Sequence, residues 1–117
     1  MPSIEPMLIT RVHRVGTYAY TSSKAAVHHL TRHLAVELGP RHITVNALAP
    51  GFFRSKMTAG LFAKFGEQMA GNALLGRVGE PADIAGAAVY LCSRAGAYVD
   101  GAVIPIDGGT IVNHEHR

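Results

Sequence analysis

The stretch that decides the fold is Leu34-Ala35-Val36-Glu37-Leu38-Gly39-Pro40-Arg41-His42-Ile43-Thr44-Val45-Asn46-Ala47-Leu48-Ala49-Pro50-Gly51. It begins as the end of a helix and finishes as a strand. Upstream, from about Tyr18 to Leu38, Val27, Leu30, Leu34 and Leu38 recur at steps of three and four and make one apolar stripe. Ala25, Ala26 and Ala35 favour the helix and allow close packing. Gly39-Pro40 stops it, because glycine tolerates a left-handed cap and proline cannot continue the ladder. Ile43 to Leu48 is then a short, β-branched run, closed by Pro50-Gly51, and it reads as a buried strand.

The flanking sequence repeats this alternation. Residues 1–16 hold two prolines and no clear period, and read as irregular with room for a short strand. Ser55 to Gly71 reads as a polar, irregular stretch with helical content. Glu80-Pro81-Ala82-Asp83 opens a second helix, since proline suits its first position and acids suit its positive end. Ile84, Ala88 and Leu91 mark the apolar face of that helix, which ends near Ser93. Ala102 to Asp107 is a second strand, and Pro105 places it at a sheet edge or a strand end.

Helix, strand, helix, strand is the order of an α/β fold with parallel strands joined by helical crossovers. Parallel strands need partners and cover on both faces, and two or three alone make a poor sheet. The expected fold is therefore part of a larger sheet.

Composition narrows the function classes. Length allows one small domain, and 48% hydrophobic against 16% charged residues fits a chain with a buried core. Eleven Lys and Arg against eight Asp and Glu give a net charge of +3, but they are scattered, so no nucleic-acid partner is expected. The single cysteine, Cys92, cannot form an internal disulfide and fits a reducing compartment. It lies in an apolar helical pattern and reads as a small core residue. Neither a signal-peptide pattern nor an apolar run of about 18 residues is present, so a soluble, cytoplasmic chain is expected.

Tyr20 and Lys24 are four residues apart at the start of the first helix. That spacing puts both on one helix face, with about 5–6 Å between their Cβ atoms. A nearby ammonium favours the phenolate and draws the phenol's pKa down from about 10. Such a phenol can exchange a proton with a carbonyl or alcohol oxygen. Taken alone, the pair reads as an ordinary exposed helix face.

Its surroundings carry more. Tyr18 to Ala26 resembles the active-site helix of the short-chain dehydrogenase/reductase family. So do Leu34 to Gly39 with Ile43 to Gly51, then Gly76-Arg77-Val78-Gly79-Glu80-Pro81-Ala82-Asp83-Ile84-Ala85, then Asp100-Gly101 and Ile106-Asp107-Gly108-Gly109. These blocks follow the family's order and spacing from about Gly16 to Gly109, closest to the branch of 3-oxoacyl-(acyl-carrier-protein) reductases and related ketoreductases.

The resemblance implies the C-terminal half of a doubly wound Rossmann-type parallel sheet, without its nucleotide-binding half. Residues 1–16 would be an irregular segment, 17–109 would run from active-site helix to closing strand, and 110–117 would be a tail. It implies ketone reduction or alcohol oxidation with NAD or NADP. Tyr20 would be the general acid/base. Lys24 would lower its pKa and bond the nicotinamide ribose. Pro50, Gly51 and Phe53 would lie against the nicotinamide, and Ser55, standing where the family usually has threonine, would contact the carboxamide or a phosphate. Phe52, Met57, Leu61 and Phe62 would fall in the substrate loop, though such residues serve equally as ordinary core.

The sequence also departs from the family pattern. The catalytic serine's position, thirteen or so residues before the tyrosine, falls on Met7, which has no hydroxyl to donate; Ser3 is the nearby alternative. No glycine-rich turn precedes these blocks to hold a pyrophosphate. The chain alone is therefore expected to bind dinucleotide poorly and to be inactive by itself. A homo-oligomer or an association with a full-length relative is expected, acting on a small carbonyl or alcohol. The other reading is a non-catalytic assembly partner of such a relative.

Seven histidines raise the question of a metal. His29 and His33 share a helix face that Glu37 extends, with His28 beside them, but a zinc site needs further ligands in fixed geometry. The group reads as a solvated or subunit-facing surface, and no metal is expected. His114-Glu115-His116 reads as a frayed polar tail.

Overall fold

The computed structural model describes residues 18–54 and 59–115. In chain order they form α1 (Tyr18–Leu38), a 3-10 turn (Gly39–Arg41), β1 (Ala47–Pro50), α2 (Ala59–Asn72), α3 (Pro81–Cys92), a second 3-10 turn (Arg94–Gly96), β2 (Val103–Ile106) and α4 (Thr110–Glu115). The two strands pair in parallel, with Ala47 opposite Val103 and Pro50 opposite Ile106. This is the α/β alternation expected from the sequence.

The helix-to-strand junction differs in its details. Gly39 is not the left-handed residue; His42 is, at φ 62 and ψ 35. The His42 amide donates to the Gly39 carbonyl at 2.8 Å and the Ile43 amide to the Leu38 carbonyl at 3.3 Å. These are the two bonds of a Schellman closure, which needs its left-handed residue directly before the second donor. Pro40 continues the chain as a 3-10 turn, which shifts that requirement onto His42.

The first strand begins at Ala47 rather than Ile43. Val45 and Asn46 are already held across the sheet, mainly by side chains, with one backbone bond from the Gly101 amide to the Val45 carbonyl at 2.9 Å. The Val45 amide donates to Asp100 Oδ1 at 2.9 Å. The Asn46 amide group donates to the Val99 carbonyl at 3.0 Å and accepts from the Ala102 amide at 3.0 Å. A side chain thus does at Asn46 what a ladder of backbone bonds does from Ala47 onward. Asn46→Ala removes both bonds and leaves a part-buried carbonyl and amide without them, so it should cost about 2 kcal/mol. The midpoint of denaturant unfolding measures this.

Pro105 lies within β2, opposite Ala49. The Ala47 amide donates to the Ala102 carbonyl and the Gly51 amide to that of Ile106, so even-numbered residues of β2 face β1. The missing N–H of Pro105 therefore falls on the other edge and costs no bond to β1.

The buried face of α1 is not the stripe of large residues. Val27, Leu30 and Leu34 are 52, 53 and 38% exposed, while His28, Thr31 and Ala35 are buried. His28 thus separates from the exposed His29 and His33, with which the sequence grouped it. Small or self-satisfied side chains allow close approach, and Thr31 Oγ1 donates within the helix to the Val27 carbonyl at 2.8 Å. Where a Cβ on Gly101 would stand, Ala35 Cβ is 3.4 Å away. The last turns of α1 therefore sit at the entering ends of the strands.

A small core gathers Val103 and Ile111, with Ala47 and Ala49 against them. Three further expectations are corrected. The stretch expected to be irregular with some helical content holds a regular 14-residue helix, α2. The chain after Gly109 forms α4 instead of a tail, because Asp107 accepts from the Gly109 and Ile111 amides at 2.9 and 3.1 Å and Ile111 is buried. Cys92 is exposed, not core. Ile84, Ala88 and Leu91 are half-buried and no residue of α3 is fully buried, so the apolar pattern around Cys92 does not imply cover on its side.

Candidate active site

Both strands deliver their chains to one place. The exit of β1 is Pro50-Gly51-Phe52-Phe53, and that of β2 is Asp107-Gly108-Gly109. The Gly51 amide donates to the Ile106 carbonyl at 2.9 Å. A Cβ on Gly51 would lie 2.8 Å from Asp107 Cβ and 2.9 Å from its Cα, so the two exits touch only because residue 51 has no side chain. Gly108 and Gly109 turn the chain back at φ 60 and 88.

A strap, residues 77–79, runs beside the exit of β1 and pairs with it in parallel through a Phe53–Gly79 bridge. The Gly79 amide donates to the Phe52 carbonyl at 2.8 Å, and the Arg54 amide to the Gly79 carbonyl at 3.1 Å. The Phe53 ring lies over Gly79 and occupies the space a Cβ there would need. Between the exits and this strap is a cleft of about 460 Å³, bordered by Phe52, Met69, Leu74 and Leu75 among others. Ligands of open parallel sheets bind beyond the carboxyl ends of the strands, which is where this cleft lies.

Charged groups fasten the strap. Arg77 Nη1 and Nη2 donate to Asp83 Oδ2 and Oδ1 at 2.9 and 3.2 Å. The Glu80 amide donates to Asp83 Oδ2 at 2.8 Å, closing the first turn of α3. Arg54 pairs with Glu80 at 3.4 Å. The Arg77 hydrogen bonds, then the Glu80 amide, lower the Asp83 pKa from 3.8 to about 2, and Asp83 in turn raises that of Arg77. Because the folded value is depressed, this contribution to stability is present above the ordinary value of 3.8 and lost as pH falls through about 2. The stability gap between the native chain and Asp83→Asn should therefore be constant near neutrality and close between about pH 4 and 2. Denaturant midpoints across that range test it; a gap that persists at pH 2 would contradict the pairing.

Tyr20 lies in the first turn of α1 and Lys24 one turn later, where Lys24 is exposed. Pro50 is the exposed last residue of β1, Gly51 touches Asp107, and Phe53 is half-buried over Gly79. Leu61 and Phe62 fall within α2. Ser55 and Met57 lie outside the described residues, as do Ser3 and Met7. Among the described residues no group of three His, Cys, Asp or Glu could hold a metal; His29 and His33 make an edge-to-face pair with ring centroids 5.7 Å apart. No helix among them is long and apolar enough to cross a membrane.

The sequence reading missed Arg77, Leu74, Leu75 and Met69 as site residues. The signal for Arg77 was an arginine shortly before a Pro-opened helix with an acid at its third position. Leu74 and Leu75 carried no periodic signal, because they sit in the turn between α2 and the strap.

The profile of the family described as enoyl-(acyl carrier protein) reductase matches residues 7–111. The chain is 40% identical over 95 residues to 3-oxoacyl-(acyl-carrier-protein) reductase of Aquifex aeolicus (strain VF5), covering 81% of this chain and 38% of that one. Galactitol 2-dehydrogenase of Cereibacter sphaeroides is 45% identical over 96 residues, covering 80% and 38%. Among solved structures, the Pseudomonas aeruginosa RhlG/NADP active-site complex superposes with a TM-score of 0.73 at 47% identity, over 80% of this chain and 38% of that one. The chain thus spans under two-fifths of the length of these relatives. On the matched span, the order of its motifs and the parallel α/β architecture, it belongs to the short-chain dehydrogenase/reductase family.

Proposed function

We propose that this chain forms the acid/base and substrate-side half of an NAD(P)-dependent oxidoreductase that interconverts ketones and secondary alcohols. The observation that carries the reading is the placement of Tyr20 and Lys24 one turn apart at the start of α1. The C-terminal end of α1 sits at the entering ends of the strands. A helix that crosses over to feed a parallel strand runs antiparallel to it, which directs its first turn toward the exits and the cleft.

The roles follow from the chemistry of each group. Tyr20 holds the proton that reaches the carbonyl oxygen and takes it back in the reverse direction. Lys24 stabilises the phenolate and binds the ribose. Pro50 is exposed and Gly51 has no side chain, so together they offer a flat ledge for a planar ring, with Phe53 fixed by Gly79 beside it. These residues suit the nicotinamide end of the cofactor; the sequence supplies no phosphate turn for the other end. Ser55 is assigned the carboxamide or a phosphate. The bound cofactor supplies the hydride. Catalysis then requires a phosphate-binding half from further polypeptide, in a cytoplasmic oligomer.

Mixing the chain with a full-length relative whose own tyrosine is disabled, then adding NADH or NADPH and a ketone, tests this. Turnover in the mixture and none from either component is the expected result. No turnover in the mixture with any cofactor and a broad ketone panel sinks the reading.

The exposure of Val27, Leu30 and Leu34 along one face of α1 favours a second reading, a non-catalytic assembly partner of a full-length relative. Burying such a stripe against another chain would drive association. Co-purification with the relative, without any gain in turnover, distinguishes it.

A further inference from the structure

The walls of the cleft at the strand exits are large and apolar: Phe52, Met69, Leu74, Leu75, Val78 and Ile106. Phe52, Leu74 and Leu75 remain 42, 60 and 70% exposed around it. Four side chains with polar groups also border it, and each already has a partner in the chain. Arg77 is held by Asp83 and by the Val78 carbonyl at 3.1 Å. Asp83 is held by Arg77 and the Glu80 amide. The Asp107 carboxylate accepts from the Gly109 and Ile111 amides. The Thr110 hydroxyl donates to the Asp107 carbonyl at 2.7 Å. To bond a ligand hydroxyl in place of these, the chain would have to open the α4 cap or the Arg77–Asp83 clamp.

From this geometry we infer that the cleft holds the hydrocarbon part of the substrate, an acyl chain or a carbocycle, and discriminates against polyols and sugar acids. The inference rests on the proposed oxidoreductase reading for its meaning as a substrate site. Its physical content is separate. Apolar walls reward each methylene placed against them, whereas a hydroxyl placed against those walls loses water and gains no hydrogen bond from them.

Saturation-transfer NMR on the 117-residue chain reads this without any cofactor or turnover. The probes are an octanoyl thioester of N-acetylcysteamine, cyclohexanol, galactitol and gluconate. The expected result is saturation of the octanoyl methylenes and of cyclohexanol, with the octanoyl probe binding about 100-fold more tightly than galactitol. Leu75→Gln, at the exposed rim, should weaken octanoyl binding about 10-fold. Leu34→Gln, on the exposed stripe of α1, should leave it unchanged, which separates cleft binding from general stickiness. Binding of galactitol or gluconate at least as tight as the octanoyl probe would overturn the inference. So would equal losses from Leu75→Gln and Leu34→Gln. Failure of the mixing assay with apolar binding intact would instead count against the oxidoreductase reading alone.

Discussion

Tyr20→Phe should lower the rate of carbonyl reduction in the complemented enzyme by about 1000-fold, within the range of 100- to 10,000-fold that a positioned acid/base group contributes. Phenylalanine keeps the ring and removes only the proton. Cofactor and ketone binding should therefore stay within about threefold of the native values, placing the loss in kcat rather than KM. Lys24→Met gives a different signature. It leaves the phenol but removes the cation proposed to favour phenolate, so on that proposal the pH–rate profile for alcohol oxidation should move up toward about 10, the ordinary phenol value. Turnover by Tyr20→Phe within tenfold of the native rate would assign the proton to another group. An unmoved pH profile in Lys24→Met would leave Lys24 as a ribose ligand only.

Gly51→Val should be the most damaging single change to the fold among those considered, at about 3 kcal/mol or more. Even a Cβ would stand 2.8 Å from Asp107 Cβ and 2.9 Å from its Cα, and one of those atoms is backbone. No flexible side-chain tip is available to move aside. The strain must open the Gly51–Ile106 bond or displace Asp107, which caps α4. Overpacking of this kind costs about 1–3 kcal/mol per site, and the further methyl groups of valine add to it. Gly51→Ala should cost about 2 kcal/mol. Gly71→Ala is the matched control: it lies in α2 with nothing within 4 Å of the new Cβ, and should stabilise by about 0.5–1 kcal/mol through helix propensity. Equilibrium unfolding in denaturant reads all three. A Gly51→Ala midpoint equal to the native one would show that the strand exits do not touch in solution.

Several features were legible because they are local. The limits of α1 follow from its run of helix formers and the Gly39-Pro40 stop, and the start of α3 from Glu80-Pro81 with Asp83. Each depends on bonds between residues a few positions apart, which the chain specifies wherever it folds. The Tyr20–Lys24 spacing is of the same kind. The ordered blocks around it mark the family, since independent motifs rarely fall in order by chance.

What only the tertiary structure decided depends on distant partners. Periodicity found the stripe of α1 but not which face is buried, because His28, Thr31 and Ala35 are chosen by what allows close approach. The β-branched run at Ile43 to Leu48 pointed to a strand, yet its start was moved to Ala47 by Asp100 and Val99, more than fifty residues away. The cleft was beyond sequence reading for the same reason: Phe52, Leu75 and Ile106 meet only because Gly51 and Gly79 let backbones and a ring come close. The sequence by itself determined α1 and α3, the α/β alternation and the position of the Tyr20–Lys24 pair, all set by short-range geometry. The tertiary structure alone decided which faces are covered, where the strands begin and what the cleft offers a ligand, because these are set by contacts between residues far apart in the chain.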